Sequence, residues 1–228
     1  MIPKDSDSYS DGDFNDSGEL GWSEFDWEKY LRQQDDVVHR YLGFYEQLTD
    51  SDNRVDDAAQ MMGWDGQTES EEQEENMESQ SPESVDMEPY TLQRNPVFIA
   101  TTAIYLSLTR SWERLAWEQR SLPQSVALAF QASLYRGERN AVLAIQSLDL
   151  GDYTMAVSLL KRSMRELNDT LNYLNAAIVD GSKPFGEFRD AALSRIFDLR
   201  EIWLRVIMEC RDEVARQGHK KSDDDSAV

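Results

Sequence analysis

Two histidines, one cysteine and 44 carboxylates are the groups with which this 228-residue chain could hold a metal or move a proton. Asp36-x-x-His39 places a carboxylate and an imidazole one helical turn apart. Di-metal carboxylate bundles use that pair twice, together with further inward-facing glutamates. Here it occurs once, and no histidine lies between positions 40 and 218. A solvated helix face accounts for Asp36 and His39 without any metal. Cys210 falls at helical spacing among Val206, Ile207 and Val214, with no histidine within two turns to take its proton. A cysteine so placed acts as a small apolar side chain. His219 sits in the polar stretch Gln217-Gly218-His219-Lys220-Lys221, and Gly137, Gly151 and Gly181 are isolated, so no phosphate-cradling loop is formed. The expectation is a protein that is not an enzyme and carries no cofactor or metal; the alternative is a bundle enzyme with carboxylate-bound metal.

Recognition chemistry is better represented. Trp22, Phe25, Trp27 and Tyr30 concentrate large contact area at the start of a helical pattern that continues through Tyr41, Phe44 and Tyr45. Tryptophan and tyrosine dominate binding hot spots, and amphipathic helices enter apolar grooves, so these four are the candidate anchors for a protein partner. The competing expectation is that the same stripe caps the chain's own core. A second constellation is basic. A helical hairpin about Leu150-Gly151 sets Arg139 opposite Arg162 and Arg136 opposite Arg165, with Lys161 nearby. Like charges across an interface are unfavourable unless acids or an anion intervene. Either Glu138, Glu166 or Glu201 neutralises the band, or it receives an acidic partner or the chain's own acidic arm.

That arm is defined by charge. Residues 1–90 hold five basic and 26 acidic side chains, whereas the remaining residues hold 18 of each, so the whole net charge of −21 belongs to the first 90. Direct binding to duplex nucleic acid is not expected, because phosphate contacts need clustered lysine and arginine. An acidic mimic of nucleic acid, or an autoinhibitory arm, is the alternative that this charge invites. Residues 1–21 and 67–90 combine high charge with few apolar groups, which predicts disorder. No leader-type segment opens the chain, and the longest apolar run, 97–108, is well below the ~20 residues of a membrane span. A cytoplasmic location is expected.

The elements that must position these groups are helices. Residues 22–66 predict one amphipathic aromatic helix, capped by Ser23 with Asp26, and a short second helix ended by Gly63 and Gly66. Apolar periodicity predicts four long helices over about 96–120, 123–149, 153–179 and 185–216, with 218–228 a disordered polar tail. The first buries Phe98, Thr102, Tyr105, Leu106, Trp112, Leu115 and Ala116. Turns at Ser121-Leu122-Pro123, Leu150-Gly151-Asp152 and Asp180–Pro184 join them. Short connections force antiparallel neighbours, so the expected fold is all-α: an up-down-up-down four-helix bundle over 91–217, preceded by the aromatic helix and acidic disordered segments. Whether the helices pair within one chain or across a homodimer stays open at this stage. The expected role is that of an adaptor or regulatory interaction protein.

Overall fold

The computed structural model describes residues 22–64, 92–118, 122–176 and 183–225, and every regular element among them is helical. Six α-helices follow in order: α1 (Glu24–Gln47), α2 (Arg54–Met61), α3 (Pro96–Glu118), α4 (Gln124–Asp149), α5 (Tyr153–Ala176) and α6 (Lys183–Asp225). A short 3-10 turn, Leu92–Arg94, leads into α3. The stretches expected to be disordered at 1–21 and 67–90 lie outside the described residues. No described helix is long and apolar enough to cross a membrane. The chain divides into two compact units, one ending at Gln33 and one running from Gln34.

Local chemistry sets most helix ends. The Ser23 backbone N–H and hydroxyl both donate to Asp26 Oδ2, at 3.0 and 2.6 Å, while the Asp26 N–H donates back to Ser23 Oγ at 3.3 Å. That is a capping box with aspartate in the glutamate position. Asn95 caps α3 by accepting from the N–H of Val97 at 2.9 Å, with Pro96 at the first helical position, where no N–H is needed. Pro123 lies just outside α4 at φ −59°, ψ 126°, one position earlier than the first-turn placement expected from sequence. Between α4 and α5, Gly151 takes φ +74°. Its N–H reaches the Leu148 carbonyl and the Asp152 N–H reaches the Ser147 carbonyl, both at 2.9 Å. This paired closure ends α4, and Asp152 then caps α5 by accepting from the Met155 N–H at 2.9 Å. The last helix runs to Asp225, past the end expected near residue 216 and over most of the tail expected to be disordered.

In the unit from Gln34 onward, α4 packs most extensively on α5, α5 on α6, and α3 on both α4 and α6, while α2 rests on α6. Aromatic side chains fill the centre. Trp112 lies 4.0 Å from Phe130 and 5.5 Å from Phe188 between ring centroids, joining α3, α4 and α6. Trp203 is fully buried, stacks on Tyr105 at 6.1 Å, and donates its indole N–H to Thr101 Oγ1 at 3.2 Å. The inner face of α3 differs from expectation. Ile99, Ala100, Thr101, Ala103, Ile104, Ser107 and Leu108 are buried, whereas Phe98, Thr102, Leu106 and Ala116 are only half-buried.

Small side chains govern the α4–α5 contact. Ser163 Oγ donates to the Gly137 carbonyl at 2.6 Å, and the Ser133 and Thr170 hydroxyls meet at 2.7 Å. A methyl built on Gly137 would sit 2.5 Å from Tyr105 Oη and 3.5 Å from Glu166 Cβ. Gly137 is thus the gap into which the buried Tyr105 hydroxyl fits. Alanine is favoured over glycine in a helix by about 1 kcal/mol, but overpacking a rigid core costs about 1–3 kcal/mol. Gly137→Ala is therefore expected to destabilise the chain by about 1–2 kcal/mol in urea unfolding. On a Tyr105→Phe background the same change is expected to be neutral or stabilising. Additive effects in that double-mutant cycle would show that the hydroxyl is not what the methyl meets.

Candidate functional site

The first turns of α1 carry the aromatic anchors expected from sequence, and the structure separates them into two kinds. Trp22 lies 4.9 Å from Trp27 and 5.3 Å from Tyr30 between ring centroids, and Trp27 meets Tyr30 edge-on at 6.2 Å. Rings this close fill one another's space and leave no cage for a ligand. Tyr30 is 4% exposed and Trp22 half-buried, so neither is presented as an anchor. Phe25 is 75% exposed and Trp27 39%, and Leu31, not singled out by sequence, joins them at 42%. Exposed Glu24 and Glu28 flank this apolar surface, Glu28 pairing with Arg32 at 2.8 Å. Asp26 belongs to the cap: the Ser23 hydroxyl and backbone N–H hold its carboxyl below the usual range.

The second half of α1, in the other unit, is held by charge buried under α2. Arg54 is 5% exposed, with its guanidinium 3.5 Å over the Tyr45 ring. Its Nε donates to the Tyr45 carbonyl at 2.8 Å, and its Nη1 donates to Ser194 Oγ at 3.3 Å and lies 3.7 Å from Asp198 Oδ2. The Tyr45 hydroxyl donates to the same Asp198 oxygen. Burial pushes the Asp198 carboxyl up; the Tyr45 hydrogen bond and the Arg54 charge oppose that rise. Alongside, Arg195 Nε donates to Ser107 Oγ at 2.9 Å, and Ser107 donates to Glu46 at 2.7 Å, so α6, α3 and α1 share one polar chain. Tyr41 stacks between Tyr45 and Trp64 at 6.1 and 5.4 Å. Farther along α6, Arg205 grips Asp56 with both outer nitrogens and also holds Glu201. Nothing in the sequence marked Arg54: it is a lone cation in an acidic, turn-rich stretch.

The four arginines of the quartet have different surroundings. Arg136 crosses to α5 and donates from Nε to Glu166 at 2.9 Å, which raises its already high pKa. Arg139 instead lines a cleft against α3, while Arg162 and Arg165 lie exposed on α5. The expected register is nearly right, since Arg136 meets Glu166, one residue beyond Arg165. Glu201, offered as a neutralising acid, belongs to Arg205. His39 is engaged at both ring nitrogens: Nδ1 donates to the Asp35 carbonyl at 2.7 Å and Nε2 accepts from Arg110 at 3.1 Å. Among the described residues, no group of three or more His, Cys, Asp or Glu side chains could hold a metal ion. Cys210 is buried, and desolvation pushes its thiol pKa up.

No protein-family model, no curated protein and no solved structure matches this chain.

The Asp56–Arg205 grip carries a pH signature. Its hydrogen bonds to Arg205 hold the Asp56 carboxyl below the usual value of 3.8. A carboxylate with a lowered folded-state pKa adds stability that is full above its unfolded pKa and is lost as pH falls through the folded one. Both side chains are about half exposed, so the pair is in the range of exposed ion pairs, about 0.5–1 kcal/mol. Asp56→Asn is expected to lower stability by that amount at pH 7, with the gap to wild type closing in urea melts toward pH 3. An equal gap at both pH values would mean that the charge contributes nothing.

Proposed function

We propose that this protein is a non-catalytic binding protein, an adaptor or regulator that binds a basic partner protein through Phe25, Trp27 and Leu31 of α1. The observation that carries this reading is the exposure of those three side chains at 75%, 39% and 42% beside Glu24 and Glu28. Apolar anchors with charged side chains at their border, Glu24 and Glu28 together with Lys29 and Arg32, combine a desolvated contact with a polar rim. The net charge of −21, all of it within residues 1–90, adds long-range attraction for a basic surface.

The unit from Gln34 onward is, in this reading, built on an up-down-up-down bundle of α3, α4, α5 and α6. Its support is the cycle of contacts in which α3 meets α4, α4 meets α5, α5 meets α6 and α6 returns to α3. The buried lone Cys210 suits a cytoplasmic setting.

The test is affinity capture from the native host with the full chain and with a Phe25→Ser/Trp27→Ser chain, followed by titration of each captured protein. A lysine- and arginine-rich partner is expected whose affinity falls at least about tenfold on the double substitution, as loss of hot-spot side chains does. Far-UV circular dichroism should show unchanged helix content, since neither side chain belongs to the core. Equal affinity of both chains for every captured protein would remove α1 as the binding element.

A further inference from the structure

Between α3 and α4 lies a cleft of about 410 Å³, which is within the size range of small-molecule sites. One turn of α3 contributes Phe98 and Thr102, and one face of α4 contributes Tyr135, Glu138, Val142 and Leu143. The walls are mostly apolar. Tyr135 and Leu143 stand at the mouth, 58% and 38% exposed, while Phe98 and Val142 lie deeper.

Two polar groups in these walls lack partners among the described residues. Thr102 Oγ1 is buried without a hydrogen bond. Glu138 is half-buried and makes no hydrogen bond or ion pair among the described residues, and desolvation raises its pKa. Arg139, the next residue and also part of the lining, is exposed and does not reach it. A carboxylate withdrawn from water without a counter-ion is unfavourable, and a cation supplied from outside relieves that penalty. Aromatic faces at Phe98 and Tyr135 suit a cation carried on an apolar body.

We propose that the α3–α4 cleft binds a small organic ammonium ion, with its charge paired to Glu138 and its apolar body between Phe98, Tyr135 and Leu143. This site is separate from the α1 surface and does not rest on the partner-binding reading.

The experiment titrates the full chain with 2-phenylethylammonium and with its neutral counterpart 2-phenylethanol, followed by calorimetry and by the methyl resonances of Thr102, Val142 and Leu143. The ammonium ion is expected to bind at least tenfold more tightly than the alcohol and to shift those methyls. Glu138→Gln, which keeps the side chain's shape, is expected to abolish the preference while leaving alcohol binding within twofold. Leu143→Ala is expected to weaken both ligands. Equal affinities for the two probes, a preference that survives in Glu138→Gln, or no binding of either up to about 10 mM would each overturn the proposal.

Discussion

A guanidinium taken out of water governs how α2 and the second half of α1 are fixed to α6. Arg54 opens α2, sits over the Tyr45 ring of α1 and points two of its nitrogens at Tyr45, Ser194 and Asp198. A buried ion is tolerated only when its geometry and hydrogen bonds offset its desolvation, and removing one partner of such a pair costs about 3–5 kcal/mol. The arrangement is therefore unforgiving. The turn after α1 has to place α2 where Arg54 reaches back nine residues to the Tyr45 carbonyl, and α6 has to present Ser194 and Asp198 one turn apart. Hydrophobic burial alone would let a short helix slide along α6. A directional, charged contact fixes the position, with Arg205 and Asp56 as a second point of attachment.

The other constraint is distance of approach. Helices α4 and α5 meet through Gly137, Ser133, Ser163 and Thr170, whose small side chains bring the backbones close enough for a serine hydroxyl to reach a helix carbonyl. Tyr105 of α3 then uses the same gap, so one glycine serves two interfaces. Neither contact needs large apolar area. Bulk is supplied instead by the Trp112–Phe130–Phe188 cluster and by Trp203, at the contacts of α3 with α4 and α6.

How much of this was legible depended on the kind of signal. Helical class and the hairpin at Gly151-Asp152 were readable because glycine at positive φ and an aspartate cap are local chemistry. The buried face of α6 was readable from Phe188 through Ala192, Ile196, Leu199, Trp203, Val206 and Ile207 to Cys210, but Val214, expected on the same face, is exposed. The face of α3 was readable only at Tyr105, Trp112 and Leu115, because the other residues are apolar or small nearly all the way round. Bulk pointed to Phe98 and Leu106, while packing chose Ala103, Ile104 and Ser107. The separate surroundings of Arg136 and Arg139 were hidden for a related reason. Pairing along a hairpin gives the height of each residue but not the flank to which it turns, so Arg136 reaches α5 and Arg139 turns toward α3. Tyr30 and Trp27 look alike in sequence, yet one is enclosed and the other open. Arg54 and Asp198 were invisible because the contact joins residues that no local pattern links.

The connection between α4 and α5 has a consequence for the order in which the molecule assembles. Its three residues close a loop at almost no entropic penalty, so the Gly137–Ser163 contact, 26 residues apart, forms among near neighbours. The Tyr45–Asp198 contact spans 153 residues. During synthesis the aromatic face of α1 emerges long before α6 exists to receive it, a wait on the order of ten seconds at ordinary elongation rates. Through that interval Tyr41, Tyr45 and Trp64 have no α6 to pack against. The 26 carboxylates of residues 1–90 travel with them, and mutual repulsion among nascent chains keeps that apolar surface from meeting another copy of itself.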